Sequence, residues 1–196
     1  MNREQRTALL AARLDCRLPL IGSWFRRRAI QRLCSECAEP ATLPIIVRTL
    51  NHTDAFVRAQ ARAALSDLAA QAAIDALCAE WFRSRDAEVG ELIRKRGYVA
   101  SEPADIRVFS GLKGAQLALL REEAVPAMPH LVAAVADGDA EVAQTAQQLL
   151  CGLDSQAAVD ALCAEWFRSR SADAGHLVAV TGARGGNAVT QRHLMF

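Results

Sequence analysis

Apolar side chains recur along this chain every three or four residues, the period of a helix face. Val57, Ala61, Ala64, Leu65 and Leu68 share one face. Ile74, Leu77, Cys78 and Trp81 do the same, as do Val159, Leu162, Cys163 and Trp166. No stretch alternates with period two, and runs of β-branched residues are absent, so strands are not expected. The pattern predicts helices over roughly 3–15, 23–37, 42–51, 54–69, 71–84, 86–96, 103–112, 114–121, 125–136, 139–152 and 156–170.

Starts and stops agree with that division. Asp54 and Asp139 precede apolar helical runs, where a short acidic side chain can accept a backbone N–H of the first turn. Asp86 stands likewise after the turn at Arg83-Ser-Arg85. Gly97 follows the last periodic residue of its helix, as a C-terminal stop does. Pro44 and Pro129 are expected in first turns, where a missing N–H does no harm.

The chain also repeats itself. "QAAIDALCAEWFRSR" at 71–85 returns as "QAAVDALCAEWFRSR" at 156–170, changed only from Ile74 to Val159. With the same offset and no gap, Pro44 falls on Pro129, Val47 on Val132, Asp54 on Asp139, Val57 on Val142 and Leu65 on Leu150. "DAFVR" at 54–58, "DAEVG" at 86–90, "DAEVA" at 139–143 and "SADAG" at 171–175 form a smaller echo at spacings of 32, 53 and 32 residues. An 85-residue module of two helical units plus an insert near 97–121 accounts for these spacings. Residues 42–96 and 127–178 are therefore expected to be equivalent sub-arrays.

"LPIIVRTLNHTDAFVRAQARAALSDL" at 43–68 resembles a HEAT repeat of the armadillo-like helical solenoids. The likeness rests on Pro44, Leu50, the turn residue Asp54, Val57-Arg58, Ala61 and Ala64-Leu65. "MPHLVAAVADGDAEVAQTAQQLLCGL" at 128–153 is similar, with Ala143 in place of the Arg, and Gly90 stands there after Asp86. In that family the Arg and the turn Asp bridge neighbouring units, and these replacements interrupt such a ladder. The unit from "WFRSR" through "RVFSGLKG" is similar to a bacterial HEAT variant with a longer insert. The resemblance spans about residues 20–178. It implies an all-α, right-handed α–α superhelix over 1–178, with 179–196 as a flexible tail or altered cap.

Composition narrows the chemistry. Apolar residues make up 52% of the chain but aromatics only 5%, so Ala and Leu carry the burial, as suits helices. The first segment is interrupted by Arg3, Arg6, Arg13 and Arg17, and its apolar runs, such as Leu18–Ile21, are far too short to span a bilayer. It therefore shows neither a signal-peptide core nor a membrane helix, and a soluble, cytoplasmic protein is expected. Cys34, Cys78, Cys151 and Cys163 sit in helical apolar patterns, where free Cys packs as a small hydrophobe.

Candidate sites are few. The repeated Trp-Phe-Arg-Ser-Arg suits either a stacking-and-phosphate surface or a buried aromatic stripe ending in helix-terminal arginines, and duplication favours packing. Cys34 and Cys37 form a lone C-x-x-C without a second ligand pair, so no metal is expected. "TGARGGN" at 181–187 lacks the Lys-Ser/Thr of a phosphate loop. The histidines, His52, His130, His176 and His193, stand in no H-E-x-x-H pattern. No catalytic constellation and no cofactor are expected.

Charge supplies the best functional clue. Residues 1–62 hold eleven Arg against five acidic residues, and residues 63–196 hold twelve basic against seventeen acidic. Of the 23 basic residues 21 are Arg, so ordinary solvated surface under codon bias is the plain alternative. Arg26, Arg27, Arg28 and Arg32 on one helix and Arg58 and Arg62 on a later one are the candidate partner-binding residues, for an acidic protein surface or nucleic acid. A non-enzymatic protein-binding scaffold is the function this architecture implies, because a stacked array exposes a long surface. The alternatives are a nucleic-acid-binding solenoid and a HEAT-type tetrapyrrole lyase or chaperone.

Overall fold

The computed structural model describes residues 3–15, 21–36, 39, 42–153, 155–170, 172 and 175–179, with the backbone alone for Arg3 and Glu4. The described residues form helices joined by short turns, without a strand. In chain order the helices are α1 (Arg3–Leu14), α2 (Gly22–Ser35), α3 (Leu43–Arg48), α4 (Ala55–Ser66), α5 (Gln71–Ser84), α6 (Ala87–Arg96), α7 (Ala104–Lys113), α8 (Leu117–Glu122), α9 (Ala124–Val135), α10 (Ala140–Cys151) and α11 (Gln156–Ser169). A 3-10 turn, Thr49–Asn51, continues α3. None of these helices is long and apolar enough to cross a membrane.

The chain divides into two compact units, Met1–Arg96 and Gly97–Phe196. In the first, α1 packs on α2, α2 on α4, α3 on α5, and α6 on α4 and α5. Its core takes Ile30 and Leu33 of α2, Leu43 and Ile46 of α3, Val57, Ala61 and Leu65 of α4, and Leu77, Cys78 and Trp81 of α5. In the second, α9 is central, meeting α7, α8, α10 and α11. There Leu112, Leu120, Met128, Leu131, Val142, Leu150 and Leu162 are buried, together with Leu177 and Val178. Within α7 the buried Ser110 hydroxyl accepts from the Ala100 N–H at 3.0 Å and donates to the Arg107 carbonyl at 3.2 Å.

The turn aspartates do what their position predicts. Asp54 accepts from the Phe56 N–H, Asp86 from Glu88 and Val89, and Asp139 from Glu141 and Val142. Each is also held by a side chain from earlier in its own unit. Arg26 of α2 reaches Asp54 at 3.3 Å, Asn51 reaches Asp86 at 3.3 Å, and Lys113 of α7 reaches Asp139 at 2.9 Å. The Arg that follows Val in the repeat pattern is not the donor. Arg58 folds onto its own turn instead, donating to the carbonyls of His52 at 2.6 Å and Thr53 at 3.0 Å.

Burial pushes the Asp54 carboxyl up, but the Phe56 N–H and Arg26 outweigh it and hold Asp54 below its ordinary value. At Asp139 burial is likewise outweighed, here by Lys113 and the backbone N–H groups of Val142 and Glu141. Burial lowers the Lys113 ammonium, and its contacts with Glu141 and Asp139 more than reverse this.

Two expectations need correction. Pro44 lies in the first turn of α3, but Pro129 lies inside α9, because α9 begins earlier, at Ala124. The carbonyl four residues before it belongs to Val125, an exposed residue, so water can satisfy what the ring cannot. The helix expected at 114–121 starts only at Leu117, because Ala115 takes a positive φ of 54° in the turn after α7. Gly97, by contrast, has the φ of 65° expected of a stop after α6. The tail expected at 179–196 lies, apart from Ala179, outside the described residues.

Candidate partner-binding surface

A groove of about 410 Å³ runs between α1 and α2. Its α1 side is Arg6, Leu9, Leu10 and Arg13, spaced at three, four and seven residues from the first and so on one face. Its α2 side is Trp24, Phe25, Arg28, Ala29 and Arg32, again a single helical stripe. Leu10 and Ala29 are buried where the two helices meet. Leu9 and Trp24 are 43% and 56% exposed, uncommon for side chains of this size. Four arginines thus rim an apolar seam.

Among the described residues one carboxylate, Glu36, pairs with these arginines: Oε1 lies 3.5 Å from Arg6 Nη2 and 3.5 Å from Arg32 Nε. Sharing one carboxylate leaves the rim with excess positive charge. The Arg28 guanidinium lies 5.6 Å from the centre of the Trp24 ring, a cation–π contact that holds both at the mouth.

The six arginines singled out from the sequence fall in different places. Arg28 and Arg32, one turn apart, share the groove. Arg26 turns toward Asp54, with only 22% of its side chain exposed. Arg27 lies over the Phe56 ring at 4.9 Å. Arg58 is engaged by carbonyls of its own turn. Arg62 lines a separate cleft of about 710 Å³ along α4 and α6, where it pairs with Glu88. The charges in that cleft are mixed. Glu91, held by Arg94 and Lys95, titrates down at about 2, and Arg96 meets Asp67 at 3.1 Å. It is a cross-linked surface rather than a basic patch.

Arg6, Arg13, Leu9 and Trp24 were not singled out by sequence reasoning. For the three on α1 the signal was present as the spacing Arg6, Leu9, Leu10, Arg13, which puts two charges beside two leucines on one stripe.

The repeated Trp-Phe-Arg-Ser-Arg is engaged within its own helix end. Trp81 is 1% exposed, whereas Trp166 is only half-buried. Arg83 and Arg168 pair with Glu80 and Glu165 three residues earlier. Arg85 and Arg170 adopt left-handed backbone with φ of 53° and 52°, returning their N–H groups to the carbonyls of Trp81 and Trp166. Glycine usually occupies such a cap. Here the Arg85 guanidinium lies 5.0 Å from the Trp81 ring and 4.9 Å from Phe82, and Arg170 lies 5.6 Å from Phe167. Such contacts are worth about 0.5–1 kcal/mol each at exposed sites and so recover part of a backbone strain of about 1–2 kcal/mol.

The Cys34 thiol lies 3.6 Å from the Gln60 carbonyl, and Cys37 is outside the described residues. His52 accepts the Asp54 N–H at Nδ1, which puts its proton on Nε2, 3.3 Å from the Leu14 carbonyl. The segment 181–187 and His193 lie outside the described residues. No protein-family model, no curated protein and no solved structure matches the chain.

Proposed function

We propose that this chain is a non-enzymatic, HEAT-like repeat protein built from a duplicated module, and that its N-terminal unit binds an acidic surface of another protein. Three features support the repeat. The bounds of α4 and α10 differ by the same offset as those of α5 and α11. Asp54 and Asp139 cap equivalent helices. Each is gripped by a basic side chain from the helix packed on its own, α2 in one unit and α7 in the other.

The observation that carries the binding is the α1–α2 groove, where four arginines surround exposed Leu9 and Trp24 with, among the described residues, one shared carboxylate. Exposed charge of one sign steers an oppositely charged partner, and exposed apolar side chains then supply contact area.

Affinity capture with the full chain, followed by kinetics on the captured protein, tests this reading. Arg28→Glu with Arg32→Glu should slow association more than it speeds dissociation. The effect should shrink as salt rises, since exposed charges are screened beyond about 8 Å at physiological ionic strength. If capture yields no protein that depends on these arginines, the reading fails.

Trp24 amid arginines also favours a second reading, a single-stranded nucleic acid stacked on the indole. It predicts oligonucleotide binding whose affinity falls steeply and linearly with the logarithm of salt concentration.

A further inference from the structure

We infer that the α1–α2 groove receives a single acidic amphipathic helix, a refinement that rests on the protein-binding reading above. Three properties of the groove point to this occupant. First, its walls are helices whose main-chain groups are used internally, so it offers no edge to which a strand could be added. Recognition must come from side chains, as when an amphipathic helix lies in an apolar groove.

Second, the spacing of charge has helical periods. Arg6 and Arg13 are seven residues apart, about 10 Å along α1, and Arg28 and Arg32 are one turn apart, about 6 Å along α2. Carboxylates one and two turns apart on a partner helix match these separations. Third, the apolar surface open between the rims is Leu9, Trp24 and half-buried Phe25, above a floor of buried Leu10 and Ala29. It asks for leucine- or phenylalanine-sized side chains between the partner's acids.

The same features count against the other anionic ligands. A nucleic-acid strand needs a track of charge and open aromatic faces, yet one face of Trp24 already carries Arg28. A bilayer would meet the exposed Leu9 and Trp24 but, being flat, would leave half-buried Phe25 between the rims uncovered.

Selection of a random sixteen-residue peptide display library on the immobilised full chain tests the inference. Enriched peptides should carry Asp or Glu flanking apolar residues at helical spacing, and should gain helicity by circular dichroism when bound. Arg6→Glu with Arg13→Glu should weaken a synthesised peptide by about a hundredfold. Trp24→Ala and Leu9→Ala, both at exposed positions that leave the core intact, should each weaken it by about tenfold. Arg27→Glu, outside the groove, should change it less than about threefold.

Enriched peptides without that pattern, or binding indifferent to Leu9→Ala and Trp24→Ala, would overturn the helix. So would stronger binding of an oligo(dT) strand or of phosphatidylserine vesicles than of any selected peptide. A captured partner protein that binds through Arg28 and Arg32 yet ignores Leu9→Ala and Trp24→Ala would sink this inference while leaving the protein-binding reading standing.

Discussion

Residues 71–85 and 156–170 differ at one position, form helices of equal length, and end in the same left-handed arginine cap. Their first two turns bury the same positions, Ala73, Leu77 and Cys78 in one and Ala158, Leu162 and Cys163 in the other. Beyond that they part. Trp81 is fully buried and Glu80 half-buried, whereas Trp166 is half-buried and Glu165 is buried. Phe82 is half-buried and Phe167 exposed.

Identical residues thus fix where a helix runs and how it stops, but not which side of its end is covered. The segments downstream of the two copies differ in sequence. After α5 comes α6, with Val89, Leu92 and Ile93 buried. After α11 comes a segment in which Gly175 sits so close to Trp166 that a Cβ there would lie 2.8 Å from the indole nitrogen. Leu177 and Val178 are buried in that segment, at the positions of Leu92 and Ile93 in the repeat.

The largest expected contrast is at the tryptophans. Trp81→Ala should cost about 3–5 kcal/mol, the range for deleting a fully buried large aromatic. Trp166→Ala should cost about half as much, since part of its ring is already in water. Urea unfolding of the two variants measures both, and equal costs would erase the difference between the copies.

The capping aspartates come next. Asp139 accepts two backbone N–H groups and holds Lys113, whose side chain is only 11% exposed. Asp139→Ala should therefore cost about 2 kcal/mol, and Asp54→Ala about 1 kcal/mol. Both carboxyls titrate below the ordinary value of 3.8 in the folded chain, so the folded state binds fewer protons there than the unfolded state. Their contribution is present above that value and is lost as pH falls through the lowered ones. Lys113 is raised above 10.5, so its contribution is complete below that value and lost as pH rises through the folded pKa. Acid titration of stability should flatten in both Asp139→Ala and Asp54→Ala. An unchanged acid limb in either variant would show that its carboxylate is not held by the cap and its cation.

The smallest contrast is at the start of the repeated helix. Ala70 and Ser155 hold nearly the same extended backbone, but only Ser155 accepts an N–H, from Ala158. Ala70→Ser should stabilise the chain by about 0.5–1 kcal/mol, and Ser155→Ala should destabilise it by a similar amount. Thermal melts that move in the same direction for both would remove the equivalence of the two caps.

Much of this fold could be read without coordinates where the signal was local. The helix expected at 71–84 is α5, residue for residue, because an apolar stripe, a tight turn and a cap all lie within it. The helix expected at 42–51 splits into α3 and a 3-10 turn, where buried Thr49 donates to the Ile46 carbonyl at 2.7 Å. In the second copy α9 begins at Ala124 and runs through Pro129. No local rule distinguishes those two outcomes.

The groove was half legible. Arg28 and Arg32 stood out as part of an arginine run, but Arg6 and Arg13 gained meaning only when α1 packed on α2. The arginines divided as they did for the same reason. Arg26, Arg27 and Arg28 are neighbours in sequence, yet about 100° separates each from the next around the helix. One therefore finds Asp54, one Phe56 and one Trp24.

By itself the sequence determined the all-helical character and the aspartate caps of α4, α6 and α10, because hydrogen bonds and side-chain periods within a few residues set these. Tertiary structure alone decided which charges were neutralised and which remained exposed. Asp54 lies 28 residues from Arg26, and Glu36 lies 30 residues from Arg6. Packing brings such residues together, because burial is a property of two surfaces and each stretch of chain supplies only one.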